Sequence, residues 1–348
     1  VTPIPGSERP AAAPDEPRSP SDADAASWAS DSRLRRRLAA AVRAAADAAR
    51  ELVGRGDGDA VDAAAVHALR TALSGVPADL RVVSGEGEKD DAPMLHPGER
   101  FGTREGPALD LVVDPVDGTR LAASGRAGAM AILAVAPRGS FADLGPSFYL
   151  DKLVHAAADR DAGLALDAPV AENLARLAAA HGRPVSSLRV AVQVRPRNAA
   201  VVDAVRAAGA RLHGFEHGDI ERVVHAVASG GALDLLLGIG GAPEGLLEAA
   251  IVRAHGGVMR ARFAPQSVAE RDRVDVFSSG RGAEGAVAAL ASDRGAGLDA
   301  LCAASALVVI APVTPCALAP VRAPLVVVDE SVEQEGGACL VTADLTAG

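Results

Sequence analysis

The sequence predicts an α/β fold of stacked sheets and helices, on three observations. Apolar runs of strand length alternate with helix-length segments from residue 31 to about 260. Several of those runs break off at turns made of acids and glycine: "LRVVSGEGE" (80–88), "ALDLVVDPVDG" (108–118) and "LDLLLGIGG" (233–241). Of the 348 residues 49% are apolar but only 2% aromatic, so a core large enough for one big or two ordinary domains has to be filled by Ala, Val and Leu.

Residues 1–30, rich in Pro, Ser, Ala and Asp, read as a disordered leader. An Ala/Leu/Arg helix is expected from Asp31 to about Val53, with Asp31 or Ser32 as N-cap and Gly54 as its stop. The Gly-Arg-Gly-Asp-Gly-Asp stretch 54–59 is a loop, and a second helix follows over about 61–74. Strands are expected at 80–88, at 108–118 and, from "GAMAILAVA", at 128–136. Further on come a helix at 170–182, a strand at 188–194, helices at 198–208 and 219–229, and a strand at 233–241. A final helix carries Pro243 in its first turn. The expected organisation is a leader (1–30), a metal- and phosphate-binding half (31–185) and a second half completing the site (186–348), divergent from about 260.

The formal charge of −10, with no basic block beyond Arg35–Arg37, argues against a nucleic-acid partner. Three cysteines, an odd number without metal-ligand spacing, argue for a reducing compartment. No apolar run approaches membrane-spanning length and residues 1–30 hold no signal-like apolar region, so the expectation is a cytoplasmic protein without a membrane partner.

The chemistry is expected at the strand ends, which gather on one edge of an α/β sheet. Glu86 (with Glu88), Asp114, Asp117 and Glu244 each follow an apolar run, and Asp62 opens the second helix. Carboxylates gathered there repel one another unless protonated or neutralised by cations, and hard Mg²⁺ or Mn²⁺ suits an all-oxygen set. In D-P-V-D-G-T, Asp114 and Asp117 can face adjacent metals with the Val116 carbonyl as a further ligand. Gly118 lets the backbone approach an anion, the Gly118 and Thr119 amides can hold a phosphate, and the Thr119 hydroxyl can sit on the attacking water. Each piece alone also has a plain reading. D-P-x-D-G is a common turn, Glu86 a solvated loop acid, Glu244 an acid favoured at a helix N-terminus. Tyr149, the single tyrosine, is either core or a substrate contact.

Seven ordered segments, spread over about 35–260, together resemble the class II, bacterial fructose-1,6-bisphosphatases, within the metal-dependent, lithium-sensitive sugar and inositol phosphatases. They are G-R-G-D…V-D-A-A-A-V (54–66), G-E-G-E-K-D-D-A-P-M-L (85–95), V-D-P-V-D-G-T-R (113–120), F-Y-L-D-K-L (148–153), A-E-N-L (171–174), R-P-R-N-A-A-V (195–201) and G-I-G-G-A-P-E-G (238–245). The resemblance implies a layered α-β-α-β-α sandwich, two or more Mg²⁺ or Mn²⁺ ions, and a homodimer or homotetramer. It implies hydrolysis of a phosphate monoester of a sugar bisphosphate, fructose 1,6-bisphosphate or a sedoheptulose 1,7-bisphosphate-like compound, by a metal-activated water. It places Asp62, Glu86, Asp114, Asp117 and Glu244 at metal-binding or catalytic positions, Gly118, Thr119 and Arg120 on the phosphate-handling turn, and Tyr149, Arg195, Arg197 and Asp219 on substrate-contacting segments.

The sequence departs from the family pattern at Gly58 (usually Lys), Asp117 (often Glu), Asn198 (usually His) and His217 (usually an acid). The acids stay while cations and neighbours change, as expected of unchanged chemistry on an altered sugar, a specialised-metabolism sugar phosphate or a monophosphate included. The alternative is a catalytically silent relative that binds sugar phosphates or regulates.

Overall fold

Helix formation starts where a carboxylate can cap it. In the computed structural model, which describes residues 28–85, 95–228, 232–280, 285–318 and 325–327, Asp31 accepts hydrogen bonds from the Arg33 and Leu34 amides at 2.8 and 3.3 Å and opens α1 (Ser32–Arg50). The buried face of α1, Leu34, Leu38, Ala41, Val42, Ala45 and Ala49, recurs at helical spacing, and its small alanines let α2 (Gly58–Leu73) pack close. Asp57 caps α2 through the Ala60 amide at 3.0 Å, so this helix begins earlier than the expected 61 and Asp62 sits a turn inside it rather than opening it. The leader expectation needs a correction at its end: Trp28 is already buried against the α1/α2 layer, while residues 1–27 lie outside the described residues.

Strands β1 (Asp79–Ser84), β2 (Arg100–Phe101), β3 (Ala108–Asp117) and β4 (Met130–Pro137) begin a first sheet. The next six form a second sheet: β5 (Tyr149–His155), β6 (Arg189–Gln193), β7 (Arg211–Phe215), β8 (Leu235–Gly241), β9 (Val258–Phe263) and β10 (Ala296–Gly297). The chain then returns to the first sheet with β11 (Leu307–Pro312) and β12 (Leu325–Val327). Strand orders are β12-β11-β4-β3-β1-β2 and β10-β9-β5-β8-β6-β7, both sheets mixing parallel and antiparallel pairs. Sheet membership thus changes at Tyr149 and again at Leu307.

After the short α3 (Thr119–Ala123) come α4 (Val170–Ala180), α5 (Ala199–Ala207), α6 (Asp219–Val227) and α7 (Ala242–His255). Helices α1 and α2 cover the outer face of the first sheet, α6 and α7 fill the space between the sheets, and α4 and α5 cover the outer face of the second. This is the expected α-β-α-β-α sandwich, with an apolar core in each interval between layers.

Strand β3, expected over 108–118, runs through both paired acids to Asp117. It bulges: Asp114 faces Ile132 and Asp117 faces Met130, so Pro115 and Val116 stand opposite Ala131 alone. Pro115 has no N–H to lose from the ladder, and Asp114 Oδ1 accepts from the Val116 amide at 3.0 Å, which fixes the bend. Strand β5 is central to the second sheet, between β8 and β9, although residues 149–155 carry both Asp151 and Lys152.

Candidate functional site

The bulge delivers its acids to a cavity of about 1170 Å³. The ends of β3, β6 and β8 and the first turns of α2, α3, α6 and α7 meet there. Of the residues expected from sequence, Asp62, Asp114, Val116, Asp117, Gly118, Thr119, Arg120, Tyr149, Arg195, Arg197, Asp219 and Glu244 all line it. Glu86 lies outside the described residues.

Gly118 is left-handed (φ +82°), and a Cβ on it would sit 3.2 Å from Leu121 Cδ1 and 3.4 Å from the Gly128 carbonyl, so the turn requires glycine. Thr119 opens α3 with its Oγ1 2.8 Å from Asp62 Oδ1 and 3.0 Å from the Val116 carbonyl oxygen. The one hydroxyl proton is therefore engaged by acceptors from α2 and β3, and the oxygen's lone pairs remain to receive a proton from elsewhere. The loop 54–59 is stitched to the same helix by Gly54 and Gly56 amides donating to the Ala122 and Ala123 carbonyls at 2.9 and 2.8 Å. A Cβ on Gly58 would end 3.3 Å from Thr119 Cγ2, so its backbone packs against the Gly118–Thr119 turn.

Asp117 is buried, and its carboxyl is pushed well above the usual range. Desolvation is the main cause, the negative charges of Asp219 and Glu244 add to it, and the Ile220 amide, donating at 3.4 Å, opposes it. Such a group needs either a proton or a cation. Among the described residues no three His, Cys, Asp or Glu side chains form a ready-made metal cage. The all-oxygen donor set, with the raised Asp117 carboxyl set among Asp219 and Glu244, fits a hard divalent cation.

Beneath the cavity floor lies a cluster that sequence reasoning missed. Lys152 on β5, 1% exposed, donates to Asp219 Oδ2 at 2.8 Å and to Glu248 Oε1 on α7. Burial raises the Glu248 carboxyl to about 8 against the pull of Lys152, while the two acids hold Lys152 protonated despite its burial. Asp219 thus lines the cavity with a carboxylate already bonded from below.

The glycines of G-I-G-G make room for these groups. A Cβ on Gly238 would lie 2.9 Å from Asn198 Oδ1, one on Gly240 2.4 Å from Asp219 Oδ2, and one on Gly241 1.8 Å from Glu244 Oε2. Asn198 is a buried tie between strands: it donates to the Gln193 and Ile239 carbonyls, both at 3.0 Å, and accepts from the Ile239 amide at 2.7 Å. On the rim, Arg195 lies 3.0 Å from His217 Nδ1, and burial together with Arg195 and Arg120 lowers the His217 pKa.

The raised acids set a pH dependence. Asp117 and Glu248 keep their protons in the fold at pH values where the unfolded chain has released them. Their contribution to stability is full below the ordinary carboxyl pKa of ~4 and is lost as pH rises towards about 8 for Glu248. In EDTA the melting temperature is expected to fall between about pH 5 and 8, and saturating Mn²⁺ to shrink that fall by replacing the proton near Asp117. Scanning calorimetry with and without Mn²⁺ checks this; equal slopes would contradict it.

Residues 32–293 match the family model described as bacterial fructose-1,6-bisphosphatase, glpX-encoded, which extends the likeness past residue 260. The chain is 41% identical over 222 residues to fructose-1,6-bisphosphatase 1 class 2 of Escherichia coli strain K12, an alignment covering 64% of this chain and 66% of that protein. The class 2 enzymes of Escherichia coli O6:H1 and Shigella flexneri give the same figures. The aligned part of the chain spans about 66% of the length of these relatives.

Proposed function

The chain belongs to the bacterial fructose-1,6-bisphosphatase family, and on that premise we propose that it hydrolyses a phosphate monoester of a sugar bisphosphate, fructose 1,6-bisphosphate first among them, with Mg²⁺ or Mn²⁺. The observation that carries this reading is the meeting of Asp62, Asp114, Asp117 and Glu244 with the Gly118–Thr119 turn in one cavity. These acids, the Val116 carbonyl and Glu86 would hold two or more cations. When bound, such ions lower the pKa of water and neutralise charge on the phosphoryl group in flight.

The protein's own residues do the rest. Asp62 draws the Thr119 hydroxyl proton towards itself, at 2.8 Å, which turns the Thr119 oxygen into an acceptor that orients the attacking water. The Gly118 and Thr119 amides and the Arg120 guanidinium receive the reacting phosphate. Arg195 and Arg197 take the second phosphate, and Tyr149 and Asp219 the sugar. Gly58 and His217, both on the cavity wall, are where a sugar other than fructose would be accommodated.

A homodimer or homotetramer in the cytoplasm accompanies this reading; among the described residues no helix is long and apolar enough to cross a membrane. Inorganic phosphate release tests it, across fructose 1,6-bisphosphate, sedoheptulose 1,7-bisphosphate and hexose and inositol monophosphates, with Mg²⁺, Mn²⁺ or EDTA. Release from a bisphosphate, stopped by EDTA, is the expected result. Tight binding of a sugar phosphate with no release from any of them would replace the proposal with a silent, binding relative.

A further inference from the structure

We infer that Gln193 is a positioning residue for the sugar-binding wall, holding Arg197 and Asp219 in register; the inference rests on the phosphatase reading above. Gln193 ends β6, half-buried at the cavity wall, and its amide is used at both ends. Its Oε1 accepts from a terminal nitrogen of Arg197, and its Nε2 donates to Asp219 Oδ1 at 3.3 Å. A guanidinium offers only donors and a carboxylate only acceptors, so the amide has one orientation and both its functions are needed.

The two partners are fixed from their far sides as well. Arg197 Nε donates to the Ile239 carbonyl at 3.0 Å, and its guanidinium lies 4.7 Å from the centroid of the Tyr149 ring. Asp219 Oδ2 accepts from buried Lys152 at 2.8 Å. The backbone of Gln193 is pinned by Asn198 Nδ2, 3.0 Å from its carbonyl. One hydrogen-bond chain therefore runs from Glu248 through Lys152, Asp219 and Gln193 to Arg197, and among the described residues Gln193 is the joint that reaches from the acid to the arginine.

This chain belongs to the second sheet and the helices on it, whereas Asp114, Asp117 and Thr119 stand on β3 and α3 of the first. Loosening Gln193 should thus cost substrate affinity before it costs the chemical step. Leucine at 193 makes neither bond. Glutamate of the same size keeps the acceptor for Arg197 but turns a negative charge on Asp219.

Gln193→Leu and Gln193→Glu, in the full chain with Mn²⁺ and fructose 1,6-bisphosphate, are expected to raise KM by about tenfold with kcat within about threefold of the parent. The rise in melting temperature given by fructose 1,6-bisphosphate with Ca²⁺ is expected to shrink in both. KM within about twofold of the parent in both variants, or a loss of kcat at constant KM, would overturn the inference. Should the leucine variant not fold, the glutamate variant carries the test; failure of both to fold would make Gln193 structural and equally overturn it. A parent that releases phosphate from no sugar bisphosphate would instead sink the phosphatase reading itself.

Discussion

Asp114→Asn lowers kcat/KM for phosphate release by on the order of 10³-fold while the protein stays folded. The argument separates two jobs of one side chain. Asp114 Oδ1 accepts from the Val116 amide at 3.0 Å and so holds the bulge; an asparagine Oδ1 accepts the same bond. What asparagine lacks is the negative charge, and a neutral amide oxygen is a poor ligand for a hard cation beside the buried Asp117. The melting temperature of the metal-free variant should match the parent within a few degrees, while the stabilisation given by Mn²⁺ falls sharply. Steady-state kinetics with fructose 1,6-bisphosphate and calorimetry check the two halves. Near-parental activity would mean that the cation, if used, sits elsewhere.

Lys152→Met destabilises the protein by about 3–5 kcal/mol. Methionine fills nearly the same space, so the effect is electrostatic rather than a cavity. Lys152 is the cation between Asp219 and Glu248, all three buried between the second sheet and the helices α6 and α7. Glu248, with its carboxyl at about 8, can meet the loss by staying protonated; Asp219 is left, among the described side chains, with its 3.3 Å bond from Gln193. Urea denaturation of parent and variant checks the figure, and Lys152→Arg, which overfills the site, is not a substitute control. A loss below about 1 kcal/mol would mean that water or a rearranged Asp219 compensates the charge.

The fold was legible because its layers are written in residue period. The apolar runs at 108–118 and 128–136 became β3 and β4, and the alanine-rich stretch after Asp31 became α1. Strand β5 was not, because Asp151 and Lys152 interrupt its apolar pattern, and Lys152 is buried only by virtue of acids 67 and 96 residues away. Glu248 carries no local signal in the sequence; it is fully buried because α7 packs against a sheet on each side. The site was legible where turn chemistry marks it. Asp-Pro-Val-Asp-Gly, with its acids, its proline and its left-handed glycine, and Gly-Ile-Gly-Gly, whose glycines clear space for Asn198, Asp219 and Glu244, both carry a local signal. Gln193 carries none: a lone amide at a strand end means nothing until the chain brings Arg197 and Asp219 to its two ends.

The central claim is that the acids of this cavity gather divalent cations. Anomalous difference density from crystals grown with Mn²⁺ and fructose 6-phosphate tests it most directly. The account requires peaks in the cavity within ligand distance of Asp114 and Asp117, with Glu244 and Asp62 beside them, and the same map reports whether Glu86 joins. An active protein whose manganese peaks all lie outside that cavity would contradict it.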